Sequence, residues 1–97
     1  MDEALVETSL DLCSRVFCSL SPQLNGTIGS FDAALLKEFF NGFCTNARCV
    51  LHARILAGEN LHHTIEALFK SFGIALSTAL TPDKRLGKNP LSTKEKL

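Results

Sequence analysis

The residues best suited to catalysis or metal binding occupy residues 58–66, which read Gly-Glu-Asn-Leu-His-His-Thr-Ile-Glu. Asn60 is a good helix N-cap, so His62 and His63 fall in the first turn and point about 100° apart, toward two different centres. Glu66 lies one turn after His62 on the same face. A helix N-terminus disfavours imidazolium and keeps both rings able to bind a metal ion, while the carboxylate can act as third ligand or proton carrier. The alternative is that both histidines are polar side chains on a solvated first turn.

The four cysteines offer a rival metal site, because they form two pairs of equal spacing, Cys13 with Cys18 and Cys44 with Cys49. Four thiolates can bind a structural zinc ion. The alternative is that the thiols are small buried apolar groups. The acidic start of the chain is unlike a secretory signal or a transit peptide, so we expect reduced thiols in a reducing compartment.

Candidate anion-binding groups lie elsewhere in the chain. The segment Ser92-Thr93-Lys94 places hydroxyls beside an ammonium group, which suits a phosphate. Arg15 and Arg54 carry guanidinium groups that suit the same kind of ligand. Each of these groups can also be an ordinary solvated charge.

Three strands are predicted from the hydrophobic pattern. Residues 4–12 alternate between apolar and polar side chains as a half-buried strand does. Residues 15–20 are rich in β-branched and aromatic residues and form a partner strand after a short turn. Residues 48–56 form a third strand, which Gly58 ends.

Two helices are predicted in addition to the strands. The first begins at Ser30 or Asp32 and ends near Asn46, and the second runs from Asn60 to about Leu80. The expected core face of the first helix consists of Phe31, Leu35, Phe39, Phe40 and Phe43. The expected core face of the second consists of Ile65, Leu68, Phe69, Phe72, Ala75, Leu76 and Leu80.

The resulting order β-β-α-β-α is that of an α+β half-domain, a mixed sheet with two helices packed on one face. It spans residues 1–80, and a basic extended tail follows at residues 81–97. The opposite sheet face carries residues such as Leu5 and is left uncovered. This points to assembly or to a missing half.

Composition narrows the function classes. The chain of 97 residues has a formal net charge of zero and 45% hydrophobic residues. A zero net charge argues against a general nucleic-acid binder. No apolar run approaches the roughly 20 residues of a membrane span. We therefore expect one small soluble domain with neither a nucleic acid nor a membrane as partner.

The combined pattern resembles the imidazoleglycerol-phosphate dehydratase family of histidine biosynthesis. The specific block is Gly-Glu-Asn-x-His-His-x-x-Glu-Ala-x-Phe-Lys at residues 58–70. Supporting matches are Met1-Asp2-Glu3-Ala4-Leu5, Asp11-Leu12-x-x-Arg15, Phe31-Asp32 through Glu38-Phe39-Phe40, Leu51-His52-Ala53-Arg54, and Ser92-Thr93-Lys94. The resemblance covers almost the whole chain.

The resemblance implies a hydro-lyase that removes water from imidazole glycerol phosphate to give imidazole acetol phosphate. It implies a pair of Mn²⁺ ions as cofactor, with His62, His63 and Glu66 as ligands and Glu66 also as the catalytic proton carrier. Glu38 stands where many family members have a further histidine ligand. A carboxylate at that position can bind Mn²⁺.

The resemblance also implies how the substrate and the partners are held. Arg15, Ser92 and Lys94 would bind the substrate phosphate. The family fold is two tandem similar halves, of which this chain resembles the second, and family sites are completed by both halves and by neighbouring subunits of a 24-mer. The chain is then a fragment that needs the first half, in the cytoplasm or, in a plant, in the plastid. The alternatives are a non-catalytic metal-binding or assembly module of the same fold and a small structural zinc protein that uses the cysteines.

Overall fold

The computed structural model describes residues 2–82. Its strands are β1 (Leu5–Asp11), β2 (Phe17–Ser21), β3 (Thr27–Ile28), β4 (Phe31–Asp32) and β5 (Val50–Ala57), and its helices are α1 (Leu35–Ala47) and α2 (Leu61–Leu80). The expected α+β fold with a mixed sheet and two helices is confirmed. Neither α1 nor α2 combines the length and the apolar character that a membrane-spanning helix needs.

The main sheet has the order β1-β5-β2, so β5 lies in the centre. It pairs antiparallel with β1, with Leu5 opposite Ala57, and parallel with β2, with Phe17 opposite Val50. The prediction that the second strand pairs with the first was therefore wrong. The segment after β1 turns at Ser14, whose N–H donates to the Arg48 carbonyl at 3.1 Å. Arg48 lies just before β5, so the chain crosses the start of β5 here and β2 forms on its other side.

A two-stranded hairpin precedes α1, and its second strand occupies residues where the first helix was predicted to begin. β3 and β4 pair antiparallel, and Gly29 takes a left-handed φ of 60° in the turn between them. Asp32 is not the N-cap, which is Ala34. Instead the Asp32 carboxylate accepts the Ala34 N–H at 2.9 Å, a local turn that delays the helix to Leu35.

The buried face of α1 differs from the predicted stripe. Leu36, Phe40 and Cys44 are buried at four-residue spacing, whereas Leu35 and Phe39 are exposed. The prediction followed the largest side chains, but those of Leu35 and Phe39 lie on the exposed side of the helix, one position before the row that is buried. The buried core cluster consists of Ala33, Leu36, Phe40, Cys44, Cys49, Leu51, Ala53, Ile65, Leu68 and Phe72.

The second helix lies close to its prediction. Asn60 is its N-cap, because the Asn60 side chain accepts the His63 N–H at 2.9 Å. Of the predicted core face, Ile65, Leu68 and Phe72 are buried, whereas Phe69 and Leu80 are exposed. The Ser71 hydroxyl donates to the Thr8 hydroxyl at 2.7 Å and ties α2 to β1.

Both helices cover the same face of the sheet, and the described residues leave the other face open. On β5, Leu51 and Ala53 are buried under the helices, while His52 and Arg54 alternate outward. Leu5, on the same outer face, is 57% exposed, as expected. The outer face carries a Phe17–His52 ring contact at 5.3 Å and an Arg54–Glu7 ion pair at 3.2 Å.

Candidate metal and substrate site

The two histidines are held by the junction between β5 and α2. Asn60 caps the helix, and the Thr64 hydroxyl donates to the Asn60 carbonyl at 2.9 Å. Thr64 is buried, and Gly58 packs directly against it. These contacts fix the backbone on which His62 and His63 sit.

His62 and Glu66 form a pair on the exposed side of the helix start. His62 Nε2 lies 3.8 Å from Glu66 Oε1, and Glu66 Oε2 lies 3.8 Å from Lys70 Nζ. The side chains of His62 and Glu66 are 68% and 40% exposed. The pair therefore presents an imidazole and a carboxylate to an incoming ligand, with an ammonium one further turn along.

His63 faces away from that pair. Its ring centroid is 6.3 Å from that of His62, with 48° between the ring planes. His63 Nδ1 lies 3.1 Å from Glu3 Oε1. The two adjacent histidines thus lie beside different carboxylates, His62 beside Glu66 and His63 beside Glu3.

Glu3 is the residue that sequence reasoning missed. Its Oε2 accepts the N–H of Asn60 at 3.1 Å and that of Glu59 at 3.4 Å. These backbone hydrogen bonds, above all that of Asn60, together with the His63 ring lower the pKa of Glu3 to about 2. The carboxylate is thus ionised at neutral pH. The signal was present in the acidic pair before β1, but its partner lies 60 positions away along the chain.

Within residues 2–82, one group of three metal-ligating side chains lies together: Asp2, Glu3 and His63, whose ligand atoms are all within 4.8 Å of one another. His62, Glu66 and Glu38 do not form such a group. Within residues 2–82, His62 and Glu66 thus lie together without a third metal-ligating side chain within 4.8 Å.

Glu38 lies in the first turn of α1 and is exposed. Its neighbour Phe39 contacts Phe69 of α2, with centroids 5.6 Å apart, and Phe43 contacts Phe72 at 5.0 Å. The two helices therefore run in the same direction. Because Phe39 is level with Phe69, Glu38 lies beside the middle of α2, about six residues along that helix from His62.

Arg15 lies at the opposite end of the sheet. It lies two residues before β2, whose first residue pairs with Val50 at the start of β5, whereas His62 and His63 follow the end of β5. The eight residues of β5 separate these ends, which corresponds to roughly 25 Å at about 3.3 Å per residue. Arg15 and the histidines of one chain are therefore not in one pocket. Ser92 and Lys94 lie outside the described residues.

The cysteines do not form a cluster suited to zinc. All four are free thiols, and no three of their sulfur atoms lie within 4.8 Å of one another. Burial raises the pKa of the Cys18 and Cys44 thiols and raises that of Cys49 to about 11. These neutral, buried groups fit the interpretation as small apolar core side chains.

Comparison with known proteins relates this geometry to one family. The family described as imidazoleglycerol-phosphate dehydratase matches residues 1–76. An imidazoleglycerol-phosphate dehydratase from a Nitratiruptor species is 47% identical over 90% of this chain and 46% of its own length. One from a Parafrankia species is 42% identical over 97% of this chain and 48% of its own length.

Two solved structures have the same fold. The imidazoleglycerol-phosphate dehydratase of Staphylococcus aureus superposes with a TM-score of 0.81 at 40% identity, covering 86% of this chain and 49% of that one. The enzyme of Pyrococcus furiosus gives a TM-score of 0.77 at 37% identity, covering 86% of this chain and 47% of that one. The chain thus spans about half the length of the relatives it matches, and it belongs to the imidazoleglycerol-phosphate dehydratase family.

Proposed function

We propose that this chain is the second half of an imidazoleglycerol-phosphate dehydratase, a hydro-lyase that converts imidazole glycerol phosphate to imidazole acetol phosphate and water in histidine biosynthesis. In this proposal residues 1–80 are the half-domain and residues 81–97 its basic tail, of which residues 83–97 lie outside the described part of the chain. The observation that carries the proposal is the helix start of α2, where His62 with Glu66 and His63 with Glu3 face two separate centres.

The donor set suits a pair of divalent metal ions. Imidazole nitrogens and carboxylate oxygens together can bind Mn²⁺, for which carboxylates are favoured ligands. His62 and Glu66 would hold one ion and His63 the other, with Glu38 as a further carboxylate ligand. A bound Mn²⁺ would supply Lewis-acid stabilisation of negative charge that develops on the substrate imidazole.

The remaining chemistry falls to side chains of this chain. Glu66 would hold or move a proton at the carboxylate oxygen that faces His62, because it is exposed enough to reach a bound substrate. Ser92 and Lys94 would bind the substrate phosphate. Arg15 would bind phosphate in the site of a second copy, since it lies across the sheet from the histidines of its own chain.

The surface of the half-domain supports assembly. The described helix layer exposes apolar side chains, and the outer sheet face exposes others. They are Leu35, Phe39, Phe69 and Ile74 on the helices and Leu5 and Phe17 on the sheet. A chain of half the family length that exposes both layers is expected to bind a first half and to assemble further, up to a 24-mer.

The test is co-expression of this chain with a first-half polypeptide from a family member. Native mass spectrometry with and without Mn²⁺ would give the subunit and metal content, and a dehydration assay would follow the product. We expect an oligomer that binds Mn²⁺ in proportion to its subunits and dehydrates imidazole glycerol phosphate only with metal. The chain alone should have little activity.

Matched variants identify the residues responsible. His62→Ala and His63→Ala should each lower Mn²⁺ content and activity, whereas Arg54→Ala, on the outer sheet face, should retain bound Mn²⁺. An assembled complex that binds Mn²⁺ without dehydrating the substrate would instead identify a non-catalytic metal-binding module. Mn²⁺ that remains fully bound when His62→Ala and His63→Ala are combined would contradict the assignment of the histidines as ligands.

A further inference from the structure

One carboxylate links the start of the chain to the start of α2. Glu3 Oε1 lies 3.1 Å from His63 Nδ1, while Glu3 Oε2 accepts the backbone N–H groups of Asn60 at 3.1 Å and Glu59 at 3.4 Å. The same side chain therefore fixes both the orientation of the His63 ring and the backbone of the turn that carries it. Glu3 is half-buried in this position.

The contact decides which nitrogen of His63 can bind a ligand. An ionised carboxylate can only accept hydrogen bonds. A neutral His63 must then carry its proton on Nδ1 and donate it to Glu3, which leaves the lone pair on Nε2. Metal-binding histidines commonly have this arrangement, in which a carboxylate on one ring nitrogen orients the other toward the ion and raises its basicity.

The oxygens of Glu3 are already engaged by donors. Oε1 faces the His63 ring, and Oε2 accepts from two backbone N–H groups. If Glu3 bound a cation directly, it would have to give up some of these bonds, which also hold the helix start. This distribution of contacts favours a role for Glu3 through His63 over a role as ligand.

We infer that Glu3 is a positioning residue for His63: it holds the ring by Nδ1–H and presents Nε2 to the metal. The inference rests on the proposed function, because it takes His63 to be a metal ligand. It adds a residue from the segment before β1 to the site, and it assigns the nitrogen through which His63 binds.

The tautomer of His63 can be measured without metal or activity. Nitrogen-15 NMR of the imidazole in the full chain, at about pH 8, distinguishes the Nδ1–H form from the Nε2–H form. We expect the Nδ1–H form in the wild type and a shift toward the Nε2–H form in Glu3→Ala. Glu7→Ala is the matched control, because Glu7 lies four residues further along the chain, in β1, but pairs with Arg54 on the outer face.

Metal affinity is the second readout, measured by electron paramagnetic resonance titration of Mn²⁺ into the complex with a first half. Glu3→Ala should weaken Mn²⁺ binding about 10- to 100-fold, and Glu3→Gln, which keeps one acceptor for the ring, should recover part of the loss. Glu7→Ala should bind as the wild type does.

The outcomes separate the two claims. Normal Mn²⁺ binding with an unchanged tautomer in Glu3→Ala would overturn this inference and leave the proposed function standing. Lost Mn²⁺ binding with an unchanged tautomer would make Glu3 itself a ligand and would also overturn it. A wild-type complex that binds no Mn²⁺ would overturn the proposed function and, with it, the role of Glu3 toward a metal.

Discussion

Gly58 lies against the side chain of Thr64 so closely that a Cβ at residue 58 would overlap Thr64 Oγ1. Thr64 is 3% exposed, and its hydroxyl donates to the Asn60 carbonyl at 2.9 Å. It therefore cannot move aside without losing that hydrogen bond. His62 and His63 lie in the sequence between Asn60 and Thr64, which this hydrogen bond joins. The position of both histidines therefore depends on the absence of a side chain at residue 58.

Gly58→Ala should destabilise the chain by about 1–3 kcal/mol, because the added methyl overpacks a buried contact. Urea unfolding monitored by circular dichroism measures the change. Gly73→Ala is the matched control, since no atom lies within 4 Å of a Cβ there and the residue is helical. That variant should gain up to about 1 kcal/mol. Equal stability of Gly58→Ala and the wild type would contradict the packing argument.

Asn60→Ala should cost about 1 kcal/mol, because the side chain of Asn60 accepts the His63 N–H at the start of α2. Asn60→Asp retains an accepting oxygen and should keep most of the stability, although its added charge lies near the Glu3 carboxylate. Thermal unfolding of the three proteins measures the difference. If Asn60→Ala unfolds at the wild-type temperature, the cap does not contribute as described.

The parts of the fold that the sequence predicts well are those with strong local signals. The alternation of residues 4–12 locates β1, and Asn60 followed by an apolar stripe locates α2. The same alternation of side chains also predicts that Leu5 lies on the outer, exposed face of the sheet. For the candidate site, the spacing of His62 and Glu66 predicts their shared face.

What the sequence does not predict depends on contacts between distant residues. The insertion of β5 between β1 and β2 is decided by hydrogen bonds across the sheet rather than by any local pattern. The contact of Glu3 with His63 forms only because β1 and β5 pair in the register that places Leu5 opposite Ala57. The start of the first helix was predicted wrongly at Asp32, because an aspartate side chain can either cap a helix or close a turn just before one.

Phe39 and Phe40 are adjacent but differ in burial, with 51% and 1% of their surfaces exposed. Phe40→Ala removes a ring packed against Phe69 and Phe72 and should cost about 3–5 kcal/mol. Phe39→Ala should cost much less in the chain alone. If the exposed helix layer binds the first half, Phe39→Ala should nevertheless weaken the co-expressed complex on gel filtration. Similar losses of stability for both variants in the chain alone would contradict the assigned burial.

The buried cysteines should react with thiol reagents more slowly than the partly exposed Cys13. Cys44 and Cys49 are 0% exposed, and burial raises the pKa of both thiols, that of Cys49 to about 11. Since the thiolate is the reactive form, neither should react with Ellman's reagent until the chain unfolds in urea, whereas the partly exposed Cys13 should react in the folded chain. Mass spectrometry of the labelled peptides would show the order. Labelling of Cys49 as fast as Cys13 in the folded chain would contradict it.

The raised pKa of Cys49 also predicts how stability depends on pH. The thiol ionises at about 9 in the unfolded chain and at about 11 in the folded chain. Its contribution to stability is therefore complete below about pH 9 and is lost as the pH rises toward 11, because only the unfolded chain then gains the thiolate readily. Urea unfolding across this interval, compared with Cys49→Ala, measures the effect. The variant should show a weaker decline with pH than the wild type, and parallel declines would mean that Cys49 does not titrate differently on folding.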